Sequence, residues 1–311
     1  MQSDDRAKLT TPSTIYILGA GAVGMALAGF LTAAGRHAVA VRTSRDTPPA
    51  RQRLKIGQPG ENTLETSVET TSLSCLGPMD NGLIIVAAKA HANKSIASEL
   101  ASRGVRGPIV VMQNGLGVED AFLEAGLGRI HRCVLYMTSQ SAGEGEIAFR
   151  SISSSPIGPV HAEHGEDIAG ILTTFGFPFH DTPDIRPDIW KKTIINSVFN
   201  SICPLLDADN GIFFRSEGAR DLAGEIIEEC TGLAKQVGVA LTVTEIMEKV
   251  MAISRGSDGQ LISTLQDIRA KRPTEIEYLN LALARLGERE GVNLPKTRLL
   301  GRMILQKSLL V

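Results

Sequence analysis

Lys192, Asn196 and Asn200 stand four residues apart in the run Trp190-Lys191-Lys192-Thr193-Ile194-Ile195-Asn196-Ser197-Val198-Phe199-Asn200. On a helix that spacing puts all three on one face. Ile194, Ile195, Val198 and Ile202 occupy the apolar positions around them. A polar group set among apolar ones costs free energy unless it finds a partner, and asparagine is a poor helix former. The stripe therefore reads as a functional face. Burial disfavours the charged form of an inward-facing lysine, which makes it a better acid near neutral pH. Ser263 and Glu275 add a hydroxyl and a carboxylate further along the chain. Pro273 reads as a helix start and places Glu275 in the first turn, where the helix dipole favours a carboxylate whatever its role.

A second set of residues points to a nucleotide. In Thr14-Ile15-Tyr16-Ile17-Leu18-Gly19-Ala20-Gly21-Ala22-Val23-Gly24 the glycines keep the spacing G-x-G-x-x-G between a strand and a helix. Gly19 allows the tight turn, Gly21 lets the backbone approach a pyrophosphate, and Gly24 lets helix and strand pack closely. The helix N-terminus attracts the phosphate charge. Gly19, Ala20, Gly21, Ala22, Val23 and Gly24 are therefore the expected dinucleotide cradle. The next strand, His37–Arg42, ends on Arg42, with Arg45 close behind and no carboxylate until Asp46. NAD-preferring sites carry Asp or Glu at that strand end. A guanidinium there favours a 2′-phosphate through charge-assisted bonds, so the expected cofactor is NADP. Lys89 and Asn114 follow two further strands, at the carboxyl ends where open parallel sheets bind ligands. His91 reads as a helix-start residue, and no histidine constellation for acid catalysis is apparent.

These residues need elements to hold them. Leu83–Ala87 and Pro108–Met112 are continuous apolar runs, as expected of parallel strands covered on both faces. Ala22–Ala34 and His91–Arg103 read as helices, and Arg45–Leu73 as a long loop with an irregular pair of short strands. Ile130–Met137 and Glu146–Arg150 read as strands at a sheet edge. The character changes at Asp181-Thr182-Pro183-Asp184-Ile185-Arg186-Pro187, a candidate domain boundary. Helical periodicity follows, over Asp188–Cys203, Ser216–Val237, Thr242–Ser254, Pro273–Glu288 and Pro295–Leu309, with Thr242 and Glu245 forming a capping-box pattern. The expected class is α/β: a Rossmann-type doubly wound sheet domain over 14–186 and a helical substrate domain over 187–311, after a flexible tail over 1–13. The site is expected in the cleft between the two domains.

Composition narrows the partners. The 311 residues carry 32 basic and 34 acidic side chains, a net charge of −2 that offers no attraction to nucleic acid or anionic membrane. No apolar stretch approaches the ~18 residues of a membrane span. Cys75, Cys133, Cys203 and Cys230 are dispersed, which suits a reduced cytoplasmic protein with buried thiols and no metal site.

The chain resembles the ketopantoate reductase (2-dehydropantoate 2-reductase) family over nearly everything from Ile15 to Leu309. The glycine motif, Arg42, Lys89, Gln113-Asn114-Gly115, Lys192 with Asn196 and Asn200, and Ser263 followed by Glu275 fall in the family's order. The K-x-x-x-N-x-x-x-N helix and the Ser263-Thr264-Leu265-Gln266-Asp267-Ile268-Arg269-Ala270 stretch are its specific marks. The resemblance implies NADPH reduction of a 2-oxo acid, with Lys192 as general acid and Glu275 assisting catalysis and substrate binding. It implies substrate contacts from Asn114, Asn196, Asn200, Asn210 and Ser263, and cofactor contacts from Arg42, Lys89, Asn114 and Glu275. A homodimer is an open assembly, and a catalytically silent NADPH sensor or a reductase of another 2-oxo acid are the rival readings. Two departures bear on substrate identity. Gly143–Phe149 lacks the family's Pro-Gly and histidine, and Asn280 is followed by Leu281 where the family usually has glycine.

Overall fold

The computed structural model describes residues 13–44, 46–57, 63–79, 82–161 and 167–310. The expected tail, Ser13 apart, and Arg45 lie outside the described residues. Strand β1 (Thr14–Leu18) leads into helix α1 (Ala22–Ala33), followed by β2 (Ala38–Arg42), β3 (Ala50–Gly57), β4 (Leu64–Ser72) and β5 (Gly82–Val86). Then come α2 (Asn93–Ser102), β6 (Ile109–Val111), α3 (Asp120–Glu124), β7 (Ile130–Cys133), β8 (Met137–Gly143), β9 (Glu146–Ser151), β10 (Ser155–Pro159), α4 (Ile168–Leu172) and β11 (Phe179–Asp181).

The strands form one sheet in the order β11-β10-β7-β6-β5-β1-β2-β4-β3-β9-β8. From β7 across to β4 the pairing is parallel throughout. The chain moves outward from β1 to β2 on one side and resumes on the other with β5, so the order reverses between β1 and β5. Ligands of such sheets bind outside the carboxyl ends at a reversal of this kind. Every residue of β5 is buried, as its unbroken apolar run requires. Helix α1 buries all of Gly24–Leu31 on the sheet. Phe30 meets Phe149 edge-on with ring centroids 4.9 Å apart, and Phe177 closes the cluster at 5.1 Å from Phe149.

The helical unit contains α5 (Arg186–Leu206), α6 (Ile212–Arg215), α7 (Glu217–Gln236), α8 (Val243–Gly256), α9 (Ser263–Arg269), α10 (Asn280–Arg289) and α11 (Pro295–Leu309). Ile194, Val198 and Ile202 of α5 share its core with Ile226, Ile227, Cys230 and Leu233 of α7. Thr242 caps α8, accepting from the Glu245 N–H at 3.2 Å. By contact, the chain separates into a unit that runs up to Gln113 and resumes over Glu119–Ile185, and a second of Asn114–Val118 with Arg186 onward. Leu116 packs against the core of the helical unit, and its N–H donates to the Tyr278 carbonyl at 2.9 Å.

Several sequence expectations need correction. The pair of strands expected after Arg45 is regular rather than irregular: β3 and β4 pair antiparallel over seven residues, and β4 joins the parallel core beside β2. Ile130–Met137 divides between β7, an interior strand, and the start of β8, which is at the edge. No helix begins at Pro273. A short 3-10 turn spans Ile276–Tyr278, and α10 starts only at Asn280 because Leu279 leaves the helical region at φ −106°, ψ −106°. Cys75 is exposed, whereas the other three cysteines are buried. Burial pushes the Cys203 and Cys230 thiols up to about 12. At pH 8 an aromatic disulfide reagent should therefore titrate one thiol quickly in the native protein and the remainder only in denaturant. Fast reaction of two or more native thiols would contradict this packing.

Candidate active site

Strand β1 ends at Leu18 and the chain turns at once toward α1. The Gly19 N–H donates to the Val41 carbonyl at 2.8 Å, while Ala87 and Ala88 both donate to the Leu18 carbonyl at 2.8 Å. These bonds lock the ends of β1, β2 and β5 together at the reversal point. Gly19 and Gly24 serve the chain's own packing. Gly19 has φ +120°, and a Cβ there would fall 2.3 Å from the Ala88 nitrogen; a Cβ on Gly24 would fall 2.0 Å from the Gly19 oxygen. Gly21 is different. A Cβ built on it meets nothing within 4 Å, and its backbone is extended at φ −84°, ψ −175°. The space beside Gly21 is therefore open to a ligand. Gly21 is also the N-cap of α1, where no side chain caps the helix and no acidic residue lies in the first turn. The helix's unsatisfied N–H groups and positive dipole end meet that space. Exposed Gly21 is flanked by half-buried Ala20, Ala22 and Val23, and these residues fit the pyrophosphate of a dinucleotide.

Arg42 ends β2, one residue beyond the carbonyl that holds Gly19. Its half-buried guanidinium donates to Gln52 Oε1 at 3.1 Å. The next carboxylate in sequence, Asp46, accepts a hydrogen bond from the Ser74 hydroxyl. Lys89 is exposed after β5, at the N-cap position of the short turn Ala90–Ala92. Asn114 is half-buried one residue beyond Gln113, after β6.

A buried polar network that the sequence reading overlooked ties the loops after β5 and β6. Gln113 Nε2 donates to the Ala88 carbonyl at 2.6 Å and to Asn93 Oδ1 at 2.7 Å. Asn93 Nδ2 returns a bond to Gln113 Oε1 at 2.8 Å. Arg132, on β7 and only 1% exposed, donates to the Gln113 carbonyl at 3.1 Å and forms an ion pair with Glu119. The one signal in the sequence was an arginine inside the apolar stretch Ile130–Leu135.

In the helical unit, α5 runs unbroken through the polar stripe, so Lys192, Asn196 and Asn200 share a face. Lys192 and Asn196 are half-buried, and Asn200 is buried. Asn200 Oδ1 accepts from the Ser263 hydroxyl and from the Thr264 N–H, both at 3.3 Å. It thus caps α9 from another helix, a service that the N-cap residue Ile262 cannot perform. Asn200 thereby holds the start of α9, where Ser263 is exposed. Asn210 lies between α5 and α6. Its carbonyl accepts from Ser254 at 2.7 Å, and its Oδ1 is buried with no hydrogen-bond partner among the described residues. Glu275 is half-buried at the head of the Ile276–Tyr278 turn rather than in a helix. Lys191 pairs with the Glu245 carboxylate of α8. Its neighbour Lys192 projects about 100° further around α5.

The sequence profile described as Ketopantoate reductase PanE/ApbA matches residues 15–161, and its C-terminal counterpart matches residues 184–308. The chain is 29% identical over 297 residues to a 2-dehydropantoate 2-reductase from Pyrobaculum aerophilum, covering 93% of this chain and 96% of that one. It is 26% identical over 302 residues to the Streptococcus pyogenes serotype M3 enzyme of the same name, with the same coverage. Among solved structures, a 2-dehydropantoate 2-reductase from Geobacter metallireducens superposes with a TM-score of 0.77 at 26% identity, covering 95% of this chain and 99% of that one. D-mandelate dehydrogenase, solved with NADH and anilino(oxo)acetate, shares the fold at TM-score 0.81 and 22% identity, covering 95% of this chain and 98% of that one. With both profiles matched in order and relatives aligned along nearly their whole length, this chain belongs to the ketopantoate reductase family.

Proposed function

We propose that this oxidoreductase reduces 2-dehydropantoate to pantoate with NADPH. The observation that carries the reading is the α5 face, where Lys192 and Asn196 share a helical stripe with Asn200, which holds Ser263. A proton donor, an amide and a hydroxyl suit the carbonyl and carboxylate of a 2-oxo acid. When bound, the nicotinamide supplies the hydride that reduces C2. Lys192 gives a proton to the oxygen that becomes the hydroxyl. Asn196 and Asn114 orient the substrate oxygens, Ser263 bonds its carboxylate, and Glu275 holds the substrate. Gly19–Gly24 receive the pyrophosphate, with Lys89 beside them. The names of the curated relatives support the reaction.

Initial rates over a panel of 2-oxo acids, each with NADPH and NADH, test the reading. The highest kcat/KM should fall to 2-dehydropantoate with NADPH. A second reading, reduction of a 2-oxo acid with a different side chain, is favoured by Leu281 in place of the family's usual glycine, and a better substrate in the panel would establish it. Arg42 tests cofactor choice. A charge-assisted hydrogen bond contributes about 1.5–3 kcal/mol, so Arg42→Asp should lower kcat/KM for NADPH roughly tenfold to hundredfold. It should also narrow or reverse the preference over NADH. An unchanged NADPH value would remove Arg42 as the reader of the 2′-phosphate.

A further inference from the structure

A charged side chain buried as deeply as Arg132 is costly to desolvate, and replacing such a pair with apolar residues is often neutral or stabilising. Stability alone is thus a weak reason for an arginine at this position. Its bonds run toward the two loops that follow β5 and β6. Arg132 holds the carbonyl of Gln113, the residue before Asn114. The Gln113 side chain holds the carbonyl of Ala88, the residue before Lys89. Asn93, 3% exposed at the start of α2, closes a two-bond amide pair with Gln113.

Each of these carbonyls belongs to a planar trans peptide whose N–H points the opposite way. Fixing the Ala88 carbonyl therefore fixes the Lys89 N–H, and fixing the Gln113 carbonyl fixes the Asn114 N–H. The network orients the peptide planes from which Lys89 and Asn114 depart.

We infer that Arg132, Glu119, Gln113 and Asn93 are positioning residues for the dinucleotide. They set Lys89 and the Asn114 peptide for cofactor binding without touching the ligand themselves. The inference rests on the proposed role of Lys89 and Asn114 as cofactor-binding residues.

Asn93→Asp separates positioning from plain stability. The new carboxylate sets an oxygen against Gln113 Oε1, whereas its protonated form can donate and rebuild the amide pair. NADPH affinity of the full-length variant, read by nucleotide fluorescence, should be about tenfold weaker than the parent at pH 8.5. Burial and the facing Gln113 oxygen push the new carboxyl up, so the affinity should recover progressively toward the parent's as pH falls from about 8.5 toward about 5.5. Arg132 and Glu119 in the network, and Lys89 and His91 on the turn before α2, are present in the parent as well, so the parent's own profile is the reference. Arg132→Lys keeps a charge for Glu119 but loses the reach to the Gln113 carbonyl. It should weaken NADPH several-fold at every pH, and it serves if Asn93→Asp does not fold. Lys89→Ala is the control on the premise and should itself weaken NADPH. If Lys89→Ala binds normally, the proposed role of Lys89 fails and the inference falls with it. If Lys89→Ala is weakened while folded Asn93→Asp or Arg132→Lys binds like the parent, the network is merely structural and the inference is overturned.

Discussion

Lys192→Ala should lower kcat by about 10²–10⁴, the usual contribution of a positioned general acid. NADPH affinity should change little, because the lysine is proposed to act at the carbonyl oxygen rather than at the phosphates. Glu275→Ala should raise KM more than it lowers kcat if its main part is to hold substrate. The informative comparison is with the adjacent lysine. Lys191 pairs with Glu245 on α8, and both side chains are partly exposed, at 27% and 38%. A pair of that exposure contributes about 0–1 kcal/mol. Lys191→Ala should therefore shift thermal stability slightly and leave the kinetics intact. A dead Lys191→Ala beside an active Lys192→Ala would reverse the assignment. Full activity in both would place the proton donor elsewhere.

Gly21→Val should abolish dinucleotide binding in a protein that still folds. The backbone at Gly21 is extended, a conformation that valine adopts readily, and the added carbon meets no protein atom within 4 Å. Its side chain would occupy the pyrophosphate's space. NADPH affinity by fluorescence titration should fall at least about a hundredfold, equivalent to ~2.7 kcal/mol, with little change in melting temperature. Gly24→Ala supplies the contrast. Its methyl would fall 2.0 Å from the Gly19 oxygen, so its loss should appear in stability as well as in binding. Normal affinity in folded Gly21→Val would remove this turn as the phosphate site.

The β1–α1 turn was legible because its glycines answer to local geometry, a tight turn and a close approach within a few residues. The α5 stripe was legible for a similar reason, since helical periodicity places residues 192, 196 and 200 together with no knowledge of the rest of the chain. What joins distant segments was not. The Asn200 bond to Ser263 spans 63 residues, and nothing in α9 announces that a residue on another helix will cap it. The network around Gln113 was hidden in the same way. Strands β3 and β4 were expected only as a short, irregular pair, and their length and place in the sheet were hidden for a different reason. Their exposed positions alternate with a few buried ones such as Leu54, Ile56 and Val68, and Arg, Lys, Thr and Glu dominate the pattern. Pairing with β2 and β9 makes them strands, which local hydrophobicity does not record. Glu275 was misplaced because Pro273 is a sound helix-start signal that the chain overrides at Leu279.

The five residues Asn114–Val118 sit in the sheet half of the sequence yet fold with the helices. No single cut of the polypeptide therefore releases the helical unit whole. A fragment beginning at Arg186 would lose the N–H that serves the Tyr278 carbonyl and uncover the apolar surface beneath Leu116. Its partner fragment would carry Asn114–Val118 as an internal segment with nowhere to dock. Split-gene or fusion schemes that divide this enzyme near residue 186 should thus yield weakly folded halves, and grafting the helical unit onto another nucleotide-binding domain requires transplanting this loop as well.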